Sequence, residues 1–149
     1  MRRINVLYLS AALVLLPTAV VAQQKSLKEQ VQGPWSMVSC NSTDTKGEKV
    51  DYCSNPKGIL ILAGNGNYAS TTIASGRKDT NAPGMAANFG TWSVNEADKT
   101  LTRHFVGARE PANEGRDSKV NISLNEGEMR LTGPGFQGDH LDSTYRRFK

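Results

Sequence analysis

Histidine and cysteine are scarce: the 149 residues hold two of each. His104 and His140 stand far apart, with no H-x-x-x-H and no carboxylate at ligand spacing, which excludes a zinc site of ordinary form. Cys40 and Cys53 make no C-x-x-C. There is no G-x-x-x-x-G-K-S/T phosphate loop and no G-x-S-x-G nucleophile elbow. No cofactor and no metal is therefore expected, and no catalytic residue announces itself. Apolar repeats of helical period are also few. One long apolar run exists, and it lies at the N-terminus.

That run is Val6 to Val21, interrupted by Ser10, Pro17 and Thr18 and preceded by Arg2 and Arg3. Val20 and Ala22 are small residues at the −3 and −1 positions of a cleavage site before Gln23. This is the layout of a secretory signal peptide over residues 1–22. A membrane anchor needs about 20 unbroken apolar residues, so no stable membrane insertion is expected. The mature chain, 23–149, reads as one domain, periplasmic or secreted. The net charge of +4 falls by two when Arg2 and Arg3 leave, so the basicity belongs partly to the leader and implies no polyanionic partner. Export also decides the cysteines. In an oxidising compartment Cys40 and Cys53 most simply form one disulfide, and closing so short a loop contributes about 3 kcal/mol in the chain-entropy model.

Period-two alternation runs through the mature chain, as in Val120, Ile122 and Leu124 against Asn121, Ser123 and Asn125. Eight strands are expected, over 35–40, 58–63, 67–74, 90–95, 99–106, 118–124, 128–132 and 141–148, with one short helix around Pro83–Asn88. The connections 64–66, 96–98 and 125–127 are short, and the first carries the Asn-Gly pair of a tight hairpin. The other four connections, 41–57, 75–89, 107–117 and 133–140, are long. Strict short/long alternation in an antiparallel meander seals one end with hairpins and rims the other with loops. Eight such strands leave two sheet edges unless they close. The expected fold is all-β, an eight-stranded antiparallel up-and-down barrel, wide enough to be filled by side chains or to hold one small ligand. The long loops carry seven basic and eight acidic residues. That mixed rim lacks the positive track of a nucleic-acid groove.

Along this frame the residues resemble the bacterial lipocalin-like domain family. Gly33-Pro34-Trp35 looks like its opening G-x-W, and Asn55-Pro56-Lys57-Gly58-Ile59 like its N-P-x-G-hydrophobic segment. Phe89-Gly90-Thr91-Trp92-Ser93-Val94 is similar to its Y-x-G-x-Y/W-x-V. Thr100-Leu101-Thr102-Arg103-His104 resembles its T-V-T-H-H strand, with arginine at the first of the paired histidines. Tyr145-Arg146-Arg147 resembles its terminal W-x-R. The resemblance spans nearly all of the mature chain, and it implies a lipocalin-like barrel with a calyx for a small apolar or amphipathic molecule.

It also implies roles. Trp35, at the sealed end, would be plugged by Arg147 stacking on its ring. Only one of Arg103 and His104 can face the lumen of a barrel strand, and the family position favours His104. There it would hydrogen-bond a ligand or act as general acid/base, unless it is an ordinary satisfied histidine. Trp92, read as opening its strand at the mouth, either stacks on a ligand or packs under a loop. Tyr68 and Tyr145 are further wall candidates, and Phe136 on its glycine-rich loop is either a lid or part of the rim. Three readings follow: a small-molecule binder, an isomerase or cyclase using His104, and an interaction or inhibitor module built on an inert barrel.

Overall fold

In the computed structural model, which describes residues 25–49, 55–74, 84–135 and 138–148, the chain forms a closed barrel of eight antiparallel strands. They are β1 (Gly33–Thr43), β2 (Pro56–Leu62), β3 (Asn67–Ala74), β4 (Gly84–Asn95), β5 (Thr100–Ala108), β6 (Asp117–Asn125), β7 (Glu128–Pro134) and β8 (His140–Arg147). Each strand pairs with its neighbours in sequence and β8 closes on β1, so no edge is left to aggregate. The expected up-and-down barrel is the fold observed. The leader read at 1–22, Cys53, Pro83 and Phe136 lie outside the described residues.

Tight turns make the closed end. Between β2 and β3, Asn65 Oδ1 accepts from the amide of Asn67 and Gly66 takes φ +84°. Between β4 and β5, Asn95 Oδ1 accepts from the amides of Ala97 and Asp98. Glu126 and Gly127, between β6 and β7, both have positive φ, which a type I′ turn requires. A short helix, α1 (Leu27–Val31), lies under the same end. Ser26 and Glu29 form a reciprocal capping box at its start, and the Glu96 carboxylate in the β4–β5 turn accepts from the amides of Leu27 and Lys28 at 2.9 and 3.0 Å. Val31, completely buried, closes the base.

Two sequence expectations need correction. No helix forms at Gly84–Asn88, because those residues are the first part of β4. Ala86 and Ala87, which suit a helix in isolation, pair instead with Thr72 and Thr71 of β3, and tertiary pairing outweighs a propensity of a few tenths of a kcal/mol per residue. As a result β4 is 12 residues long and Trp92 falls near its end rather than at its start. A register shift between Phe89 and Gly90 bends this strand. A Cβ on Gly90 would sit 1.9 Å from the carbonyl oxygen of His104, so only glycine allows the two backbones this approach.

Inward-facing residues change character along the barrel axis. Toward the base they are large and apolar: Leu60, Leu62, Leu101, Ile122, Met129 and Leu131, all 5% exposed or less. Toward the mouth the buried positions are mostly small, Cys40, Ser42, Ser70, Ala74, Ser118, Gly133 and Ser143, with Phe105 and Asp139 as the larger exceptions. The lower half is an apolar core, and the upper half has a wall of mostly small side chains.

Candidate functional site

The base is built from the two G-x-W segments. Trp35 donates its indole N–H to the carbonyl of Val31 at 2.6 Å, and the guanidinium of Arg147 lies 3.9 Å from its ring centroid. Arg147 also donates to the carbonyls of Gln32 and Gln30, tying α1 to β8. A Cβ at Gly33 would meet Arg147 Nη1 at 2.7 Å, so the glycine of the motif makes room for the plug. Burial lowers the pKa of Arg147 within a range where it stays charged. Trp92 repeats the pattern. It is 5% exposed, donates its indole N–H to the carbonyl of Ala63 at 2.9 Å, and has Lys28 Nζ 5.8 Å from its ring. Trp92 therefore stands at the closed end beside α1, not at the mouth, because β4 begins six residues earlier than its apolar alternation suggested.

The interior of β5 brings a third correction. Leu101, Arg103 and Phe105 point inward, and His104 and Val106 point out. His104 keeps about half its side chain in solvent, with Nδ1 2.8 Å from Asp117 Oδ1 on β6. Position parity on a strand decides this: His104 cannot share a face with Leu101 and Phe105, which are 0% and 2% exposed. The histidine expected in the lumen is outside it, and the arginine beside it is within. A lumen general acid supplied by His104 is thereby removed.

Arg103 is 8% exposed. Its guanidinium lies 5.8 Å from the ring centroid of Tyr68 and 5.9 Å from that of Phe105, whose own centroids are 6.2 Å apart. Nη2 donates to the hydroxyl of Ser118 at 3.2 Å. Among the described residues no carboxylate pairs with it: the ion pairs join His104 to Asp117, Lys119 to Asp98, Arg130 to Asp142 and Arg146 to Glu128, all on the outside. Arg103 Nε and the Tyr68 hydroxyl are buried without a hydrogen-bond partner. Burial pushes the pKa of Tyr68 up to about 12 against the opposing pull of the Arg103 charge. Tyr145, also buried, is shifted upward by burial, and the Arg103 charge again works in the other direction.

Of the residues singled out from the sequence, Tyr68 and Tyr145 are inside the barrel near Arg103, Trp35 and Arg147 form the base plug, and Trp92 lies at the base too. Cys40 is a buried wall residue; its pairing with Cys53, like the role of Phe136, falls outside the described residues. Arg103, Ser118 and Lys28 were not expected. The parity of Leu101, Arg103 and Phe105 was the available signal for the first.

No protein-family model and no curated protein matches the chain. Solved structures do: one, a redesigned β-barrel, is 13% identical with a TM-score of 0.50, over 83% of this chain and 96% of that one. At that identity the likeness concerns the fold alone, and the lipocalin-like family remains a resemblance carried by motifs. Among the described residues no helix is long and apolar enough to cross a membrane.

Proposed function

We propose that this protein is an exported binder that holds one small amphipathic molecule in the mouth half of its barrel. The observation that carries this reading is the gradient inside the wall. Large apolar side chains fill the base, while the buried positions of the upper wall are mostly serine, alanine and glycine, interrupted by Cys40, Phe105 and Asp139, beneath the end where the long connections run. A barrel whose only task was stability would favour large side chains to the rim, since each buried methylene contributes about 0.8 kcal/mol. Polar groups without partners at the boundary, Tyr68 OH and Arg103 Nε, would fix the orientation of a ligand whose apolar part supplies most of the binding energy. Export is supported by the signal-peptide pattern of residues 1–22, and a Cys40–Cys53 disulfide would staple β1 to the first mouth loop.

Native mass spectrometry of the mature chain against fatty acids, hydroxylated aromatics and lipids tests this. One equivalent bound, with a rise in melting temperature as mass action requires, is the expected outcome. Failure of every class to bind would end the reading. Mass analysis of the exported protein, before and after thiol alkylation, tests the cleavage after Ala22 and the disulfide together.

A second reading, an interaction module, is favoured by one observation: Ile59, Ile61, Ile73, Met85, Phe89 and Val106 are large, apolar and 39–58% exposed. They lie on neighbouring strands of the outer wall, with Ile73 directly opposite Met85. Exposed apolar patches of this kind mark contact surfaces. Sedimentation with and without candidate partners would separate it from the first.

A further inference from the structure

We infer that the molecule held in the barrel carries a carboxylate, and that Arg103 is the residue that binds it. The inference rests on the binding reading above and adds the chemistry of the head group.

An arginine stays charged at any physiological pH and presents five N–H donors in a planar fork. Burying that charge is costly unless an anion or several acceptors compensate it. Arg103 is 8% exposed and has one hydrogen bond, to a neutral hydroxyl. The rings of Tyr68 and Phe105 lie 5.8 and 5.9 Å from the guanidinium and repay a fraction of the desolvation. No acidic side chain among the described residues reaches it. The other arginines with close partners show what this chain does elsewhere: Arg130 and Arg146 each meet a carboxylate, Arg147 meets two carbonyls, Arg109 meets the Met85 carbonyl and Arg116 the side-chain oxygen of Asn113. Arg103 alone among these six lacks an anionic or carbonyl acceptor inside the protein, and it is the one aimed into the lumen.

Three features select a carboxylate from other anions. The guanidinium fork matches two oxygens in a plane. The neighbouring Tyr68 hydroxyl is unpartnered and, with its pKa pushed up to about 12, remains a donor rather than an anion at neutral pH. A single positive charge in an apolar, aromatic setting balances a monoanion and leaves a phosphate dianion half compensated. The ligand class is thus a monocarboxylate with a compact apolar body, head downward on Arg103 and body toward the mouth.

Calorimetric titration of the mature protein with alkanoates from hexanoate to dodecanoate, and with the 1-alkanols of equal length, isolates the head group. The expected result is that at least one alkanoate binds about tenfold or more tightly than its alcohol. Arg103→Met should erase that difference, and Arg103→Lys should recover part of it. Tyr68→Phe, which leaves Arg103 in place, should weaken the alkanoate a few-fold and spare the alcohol. Equal binding of acid and alcohol by the wild-type protein would overturn the carboxylate inference while leaving lumen binding intact, as would alkanoate affinity unchanged in a folded Arg103→Met protein. If neither series binds, both readings fall. The wild-type comparison decides even if a variant does not fold.

Discussion

Arg147 lies over Trp35, its guanidinium 3.9 Å from the ring centroid, and the two residues face each other across the β1–β8 seam that closes the barrel. The same guanidinium holds the carbonyls of Gln30 and Gln32, so one side chain joins the first strand, the last strand and the basal helix. Arg147→Met should lower stability by about 1–3 kcal/mol, from the lost cation–π contact and two carbonyls left without their donor. Urea denaturation measures it, and the midpoint should fall with little change in slope.

Trp92 plays the matching part on the other side of the base. Trp92→Phe keeps the apolar ring and removes the N–H that serves the Ala63 carbonyl, a loss of about 1 kcal/mol. Trp92 stands directly opposite Arg103 in the β4–β5 ladder, but its indole N–H is turned to the Ala63 carbonyl at the base, so a ligand held by Arg103 should keep its affinity. A large change in affinity with unchanged stability would return Trp92 to the binding site.

His104 lies outside the barrel, paired with Asp117 where both side chains are about half exposed or more. Exposed pairs contribute about 0–1 kcal/mol. His104→Ala should therefore leave stability within about 1 kcal/mol and leave ligand binding unaltered, as thermal melting and titration would show.

The buried tyrosines give the barrel an alkaline limit. Tyr68 in the folded state holds its proton to about pH 12 against an ordinary value of 10, and burial shifts Tyr145 the same way. A raised folded-state pKa means the unfolded chain loses its proton first. The stability tied to the neutral phenol is complete below pH 10 and is lost as pH climbs from 10 toward 12. Tyrosinate absorbance from Tyr68 and Tyr145 should appear only above pH 10, together with loss of far-ultraviolet β signal. Tyr68→Phe should flatten part of the stability loss across that range.

Architecture was readable from the sequence because it depends on spacing. Asn65-Gly66 and the alternation of short and long connections fix which strands meet and which end is closed, and barrel closure follows from the need to satisfy edges. Positions that depend on exact strand limits were not readable. The start of β4 could not be separated from a helix at Ala86 and Ala87, and that error alone moved Trp92 from base to mouth. The basal helix was signalled by Ser26 and Glu29 at capping-box spacing, but five residues are too few to show a helical period. Facing was readable in principle: Leu101 and Phe105 place Arg103 inside. The motif likeness pointed to His104 instead, and the strand's own alternation was the better guide.

The most direct test of the cup is a proton–nitrogen correlation spectrum of the mature protein titrated with an alkanoate. Shifts should concentrate at Ser70 and Ser118 of the upper wall and at Tyr68 and Arg103 on its lower boundary, including the Arg103 side-chain Nε–H. Shifts confined to the outer face, at Ile59, Ile73, Phe89 and Val106, with Arg103 unmoved, would contradict a ligand inside the barrel.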